Sequence, residues 1–108
     1  MSTIDSIIIF STFSSRLEAE KIAKFLIKKR LAACVQILPK MESIYFWKHK
    51  IHKNKEHLMI IKSRKSLFEK VTKLIQENHS YETPEILALP VIKGSSDYLQ
   101  WLTQVTSD

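Results

Sequence analysis

Residues Ser66 to Ile92 read SLFEKVTKLIQENHSYETPEILALPVI, and the period of the pattern changes partway along. Leu67, Val71, Leu74 and Asn78, flanked by Phe68 and Ile75, recur at the three- and four-residue spacing of one helix face, which predicts a helix over 66–78. Pro84 cannot continue that helix, because it lacks a backbone donor and disfavours helical backbone before it. Pro84 to Ile92 then reads as an apolar strand. The junction, His79-Ser80-Tyr81-Glu82-Thr83-Pro84-Glu85-Ile86, packs an imidazole, a phenol and two carboxylates between two regular elements, where a site can be held rigidly.

Upstream the sequence reads as a strand, a helix and two further strands. Ser6 to Thr12 is a strand whose run Ile7-Ile8-Ile9-Phe10 implies burial on both faces. Ser15 and Glu18 form a capping-box pattern, and Ala19, Ile22, Ala23 and Leu26 give the following helix an apolar face. A second strand runs from Ala33 to about Lys48, with a bend or bulge expected at Pro39. The basic run Lys48-His49-Lys50-Ile51-His52-Lys53-Asn54-Lys55 reads as a solvated hairpin turn, and Glu56 to Ser63 as the third strand. That strand sets Leu58, Ile60 and the stem of Lys62 on one face, with Met59 and Ile61 on the other. After Gly94 and a Ser95 cap, Tyr98, Trp101, Leu102 and Val105 make the face of a last helix.

The order is βαββαβ plus one helix. It predicts an α+β, ferredoxin-like fold: a four-stranded antiparallel sheet with two helices on one side. The other face would be bare yet apolar, and Tyr45, Phe46 and Trp47 add to it, so self-association is expected.

At 108 residues the chain is a single domain, and with one glycine it has no phosphate-cradling loop. Its one cysteine, Cys34, rules out an intrachain disulfide. No basic leader or apolar run of membrane length is present, so a cytoplasmic protein without a membrane partner is expected. Seventeen basic against eleven acidic residues give a net charge of +6, which would attract polyanions. RNA-recognition modules share this element order but stack bases on aromatics of the middle strands. His57-Leu58-Met59-Ile60-Ile61-Lys62 has none, so no nucleic-acid partner is expected. Without a nucleophile elbow, a Cys–His pair or a P-loop, the chain does not read as an enzyme.

Six segments in order resemble the CutA family of divalent-cation tolerance proteins. They are Arg30-Leu31-Ala32-Ala33-Cys34-Val35, Ser43-Ile44-Tyr45-Phe46-Trp47, Leu58-Met59-Ile60-Ile61-Lys62, His79 to Ile86, Leu89-Pro90-Val91 and Tyr98-Leu99-Gln100-Trp101-Leu102. The resemblance implies a homotrimer like that of PII signalling proteins, its bent strands pairing across subunits and thereby covering exposed sheet edges. It also implies a role in tolerance to copper or another divalent cation.

Family copper binding is assigned to a cysteine near the end of the first strand and to histidine just before the Pro-Tyr motif. Those places are Ser11 and Asn78-His79 in this chain, which leaves His79 as the candidate metal ligand, and copper needs several converging N or S donors. The competing reading is that His79 caps the helix end or bonds within the turn. His49, His52 and His57 read as surface histidines, and Cys34 as a small buried hydrophobe. The family usually has glycine where this chain has His49. Lys62, Tyr81, Glu82, Glu85, Trp47 and Tyr98 occupy positions that cluster at intersubunit clefts in the family. Either they form an interface network, with Lys62 paired to Glu82 or Glu85, or they line a ligand pocket. The expectation is therefore a trimeric binding or regulatory protein linked to divalent metal. The alternatives are a PII-like sensor of a small anionic ligand and a scaffold for a protein partner.

Overall fold

Strand β1 (Ser6–Phe13) lies inside a four-stranded sheet ordered β2-β3-β1-β4, with β2 spanning Cys34–Trp47, β3 Lys50–Arg64 and β4 Leu87–Pro90. The computed structural model describes residues 4–107. All three strand pairings are antiparallel, with Ile9 opposite Ile61 and Ala88, and Val35 opposite Ile61. Helices α1 (Arg16–Lys28) and α2 (Phe68–Asn78) pack on one face, and α3 (Ser96–Val105) follows β4. The fold is α+β and ferredoxin-like.

Alternation decides what is buried. Ile7, Ile9 and Phe13 of β1 and Met59 and Ile61 of β3 point to the helices, where they meet Ile22 and Leu26 of α1 and Val71 and Ile75 of α2. Ile9, Phe13, Met59 and Ile61 are fully enclosed, and each such side chain contributes about 1.5–3 kcal/mol through its burial. The cap at Ser15 forms as its sequence indicates, its Oγ accepting the Glu18 N–H at 3.2 Å. The Glu18 carboxylate accepts from Ser80 N–H and Oγ–H, at 3.2 Å each, tying the start of α1 to the loop after α2.

Two expectations change and one, the bulge at Pro39, is met. The basic run after Trp47 is not a turn, because β3 begins at Lys50 and only Lys48 and His49 form the turn. Both have positive φ, 50° and 68°, the primed-turn geometry that matches the twist of paired strands. An edge hairpin wet on both sides tolerates lysines at every position, so the charge pattern hid the strand. At the second strand, β2 continues through Pro39, where Leu38 faces Leu58 and Met41 faces Glu56, so one extra residue is accommodated in a bulge. The bulge flips the alternation, placing Ser43, Tyr45 and Trp47 on the face not covered by α1 and α2. The second change is at β4, which is cut to the four residues Leu87–Pro90. Ser95 does precede α3, but its side chain makes no capping bond.

The β2–β3 hairpin extends past the helices as an arm, giving the molecule a 49 × 26 × 23 Å outline. Ile44, Phe46 and Ile51 on the arm are 64%, 70% and 72% exposed, and Leu87 and Leu89 of β4 are exposed as well.

Candidate functional site

The arm, the end of β1 and the loop between α2 and β4 enclose an open cleft of about 580 Å³. Glu56 sits on its inner wall only 6% exposed, on the same strand face as Leu58 and Ile60. A carboxylate so placed needs a partner, and the Tyr81 hydroxyl donates to its Oε2 at 2.6 Å. Burial, and then the bond to Glu56, push the Tyr81 phenol up to about 12. Burial also raises the Glu85 carboxyl, and the Glu56 charge adds to the effect. Glu82 lines the same cleft, and Tyr45 and Trp47 form its aromatic wall. Asn54 holds Tyr45 by donating to its hydroxyl, and His52 stacks on the Tyr45 ring while its Nε2–H donates to the Trp47 carbonyl at 2.9 Å. Among the described residues that line this cleft, none is basic.

Of the six residues expected at intersubunit clefts, Trp47, Tyr81, Glu82 and Glu85 lie together in this cleft of the single chain. Lys62 and Tyr98 do not join them. Lys62 lies six residues along β3 from Glu56, about 20 Å of extended chain, and its Nζ sits 5.5 Å over the Tyr98 ring. The expected ion pair of Lys62 with Glu82 or Glu85 is not made within the chain. A cation–π contact that docks α3 on β3 takes its place.

His79 is held from every side. Its side chain is fully buried, stacked on Phe13 at 4.3 Å and tilted against Tyr81 at 4.6 Å. Nε2–H donates to the Thr12 carbonyl at 2.7 Å, and Nδ1 accepts the Tyr81 N–H at 3.0 Å, with Glu18 Oε2 3.5 Å away. With both nitrogens engaged, the ring has no lone pair for a metal unless one of these bonds opens. In this fold His79 joins the end of β1 to the Tyr81 loop.

The other histidines do not converge. Alternation sends His52 and His57 to opposite faces of β3, and His57 is buried rather than on the surface. Cys34 is half-buried opposite Lys62. Among the described residues, no three His, Cys, Asp or Glu side chains form a ready metal seat. Glu56 is not among the residues named from the sequence, where its one signal is a lone carboxylate in phase with Leu58 and Ile60 on an otherwise apolar strand face.

The description "CutA1 divalent ion tolerance protein" is that of a family model matching residues 7–105. The chain is 42% identical over 104 residues to the chloroplastic protein CutA of Arabidopsis thaliana, covering 96% of this chain and 57% of that protein. It therefore spans less than two thirds of this relative's length. It is 41% identical to the divalent-cation tolerance protein CutA of Pectobacterium atrosepticum, covering 91% of this chain and 89% of that one. The crystal structure of CutA1 from Oryza sativa superposes with a TM-score of 0.94 at 39% identity, covering 98% and 97% of the two chains. That of the Thermus thermophilus protein gives 0.92 at 37%, covering 94% and 99%. Fold, motif order and these likenesses agree, and the chain belongs to the CutA1 divalent ion tolerance protein family.

Proposed function

We propose that the chain acts as a homotrimeric binding or regulatory protein in the response to divalent cations, with the carboxylate cleft as its ligand seat. The observation that carries this reading is the Glu56–Tyr81 pair with Glu85 beside it. Negative charge is concentrated in a cavity whose walls, among the described residues, carry no basic group, and the Glu85 carboxyl is raised, by burial first and by the Glu56 charge second. A bound cation would relieve that repulsion. The donors are all oxygen, which suits hard divalent ions better than copper. The same carboxylates speak against a small anion in this cleft.

The exposed apolar arm supports the trimer. Ile44, Phe46 and Ile51, left in water, would favour aggregation, and a neighbouring copy of the chain is the economical cover. Groups from that copy would complete a cation site that one chain leaves unfinished. The lone cysteine suits a reducing compartment, consistent with a cytoplasmic protein. No helix among the described residues is long and apolar enough to cross a membrane.

The test is calorimetric titration of the purified protein with Mn²⁺ and Cu²⁺. Glu56→Gln keeps an acceptor for Tyr81 and removes only the charge, and it should weaken Mn²⁺ binding at least about tenfold. Unchanged Mn²⁺ binding in this variant, or binding of Cu²⁺ alone, would refute the cleft as the seat.

A further inference from the structure

The net charge of +6 is distributed unevenly. Residues 16–30 and 65–78, which make up α1, α2 and their flanks, hold nine basic and four acidic side chains, so five of the six net charges lie in the helical layer. This layer is on the side of the sheet opposite the carboxylate cleft, and covering the apolar arm and open sheet face would leave it exposed. A groove of about 650 Å³ runs between the helices. Phe25, Leu31 and Leu74 form its floor, with Leu31 and Leu74 only 7% and 8% exposed, so apolar surface is present but recessed. Lys29, Lys70 and Lys73 stand around it, all exposed, and among the described residues none of the three is paired with a carboxylate. Glu77 also lines the groove, as does Asn78, whose amide is already spent on the Leu74 carbonyl at 2.8 Å.

We propose that this groove docks an acidic segment of a partner protein, which sets a large apolar side chain on Phe25, Leu31 and Leu74 and carboxylates on Lys29, Lys70 and Lys73. Charge complementarity selects the sign of the partner. The recessed floor selects its class. A bilayer is entered by apolar side chains that protrude, and these lie at the bottom of a groove. A nucleic acid would supply phosphates but no aliphatic group for the floor, and the groove offers no exposed aromatic platform for bases. An acidic peptide with an apolar anchor satisfies both walls and floor. The site is separate from the carboxylate cleft and does not rest on its reading.

The experiment is fluorescence anisotropy with the full-length protein and two labelled peptides, EDELEEFEDE and the control EDESEESEDE. The first should bind, with affinity falling as salt rises, and the control should bind at least about tenfold more weakly. The variant Lys29→Glu/Lys70→Glu/Lys73→Glu should lose the first peptide by a similar factor. Its melting temperature should hold, since all three side chains are exposed. A second variant, Lys48→Glu/Lys50→Glu at the tip of the arm, should change binding less than about twofold. Equal binding of the two peptides, no binding of the first, or indifference to the groove variant would overturn the proposal. So would phosphatidylserine vesicles or single-stranded RNA binding more tightly than the peptide through the same three lysines.

Discussion

Tyr81 reaches back across 25 residues of sequence to donate its hydroxyl to Glu56 at 2.6 Å, fastening the loop after α2 to the inner wall of the arm. The bond joins two segments that no helix or ladder connects, and it neutralises part of the cost of a buried carboxylate. Replacing Tyr81 by phenylalanine leaves that carboxylate under-satisfied and should cost about 1.5–3 kcal/mol at neutral pH. The stability that the bond provides is present below pH 10 and lost as pH rises toward about 12, because the unfolded phenol ionises first. Absorbance titration of the wild type should show a tyrosine step near pH 12, and Tyr81→Phe should remove it.

Glu85 gives a prediction of the opposite kind. Its carboxyl is harder to ionise in the folded chain than in the unfolded one, because of burial and then the Glu56 charge. Folding stability therefore falls as pH rises through the ordinary glutamate range and into the raised one. Glu85→Gln should melt higher than wild type at pH 7, and the advantage should vanish below about pH 4, where both forms are uncharged. A gain that persists unchanged in acid would trace the effect to packing instead.

His49 occupies a left-handed backbone position, φ 68°, at the place where resemblance to the family expects glycine. A side chain there costs about 1–2 kcal/mol relative to a conformation it prefers, and glycine escapes that cost. His49→Gly should raise the melting temperature at fixed protein concentration, by the equivalent of about 1 kcal/mol. His49→Ala should give no such gain, which separates backbone strain from any property of the imidazole.

Ser11 is fully buried, and its hydroxyl has no hydrogen-bond partner among the described residues. Resemblance to the family places a cysteine there, which fits a site wanting a small apolar group. Ser11→Cys should stabilise the fold by about 1 kcal/mol in denaturant unfolding, and a loss of similar size would show that the hydroxyl is satisfied in solution.

What could be read from the sequence follows from which forces are local. The change of period around His79 fixed helix, loop and strand, because alternation and helical spacing are imposed by the chain's own geometry. Pro39 marked the bulge for the same reason: an edge strand has to yield where a donor is missing. The arm is not legible as a strand because Lys50 to Lys55 stand largely in water on both faces, where composition carries no signature of pairing. The motifs name Trp47, Tyr81, Glu82 and Glu85, which the fold brings to one cleft, but they do not name Glu56, to which Tyr81 is bonded. Its partner Tyr81 lies on a distant loop, and contacts of that kind depend on how elements dock. Charge alone asks for a carboxylate partner for Lys62 across an interface, whereas within the chain the docking of α3 supplies the Tyr98 ring. For His79, the reading that it bonds within the turn describes the Tyr81 N–H contact, while its second bond, to Thr12, joins elements 67 residues apart.

The proposed trimer would hold divalent cations at the Glu56 cleft, with His79 serving as a structural post. Native mass spectrometry tests it most directly, with wild type, Glu56→Gln and His79→Gln sprayed in Mn²⁺. Trimers are expected throughout, metal-loaded in the wild type and in His79→Gln but bare in Glu56→Gln. A monomeric wild type would contradict it, as would a Glu56→Gln trimer that keeps its metal while His79→Gln loses it.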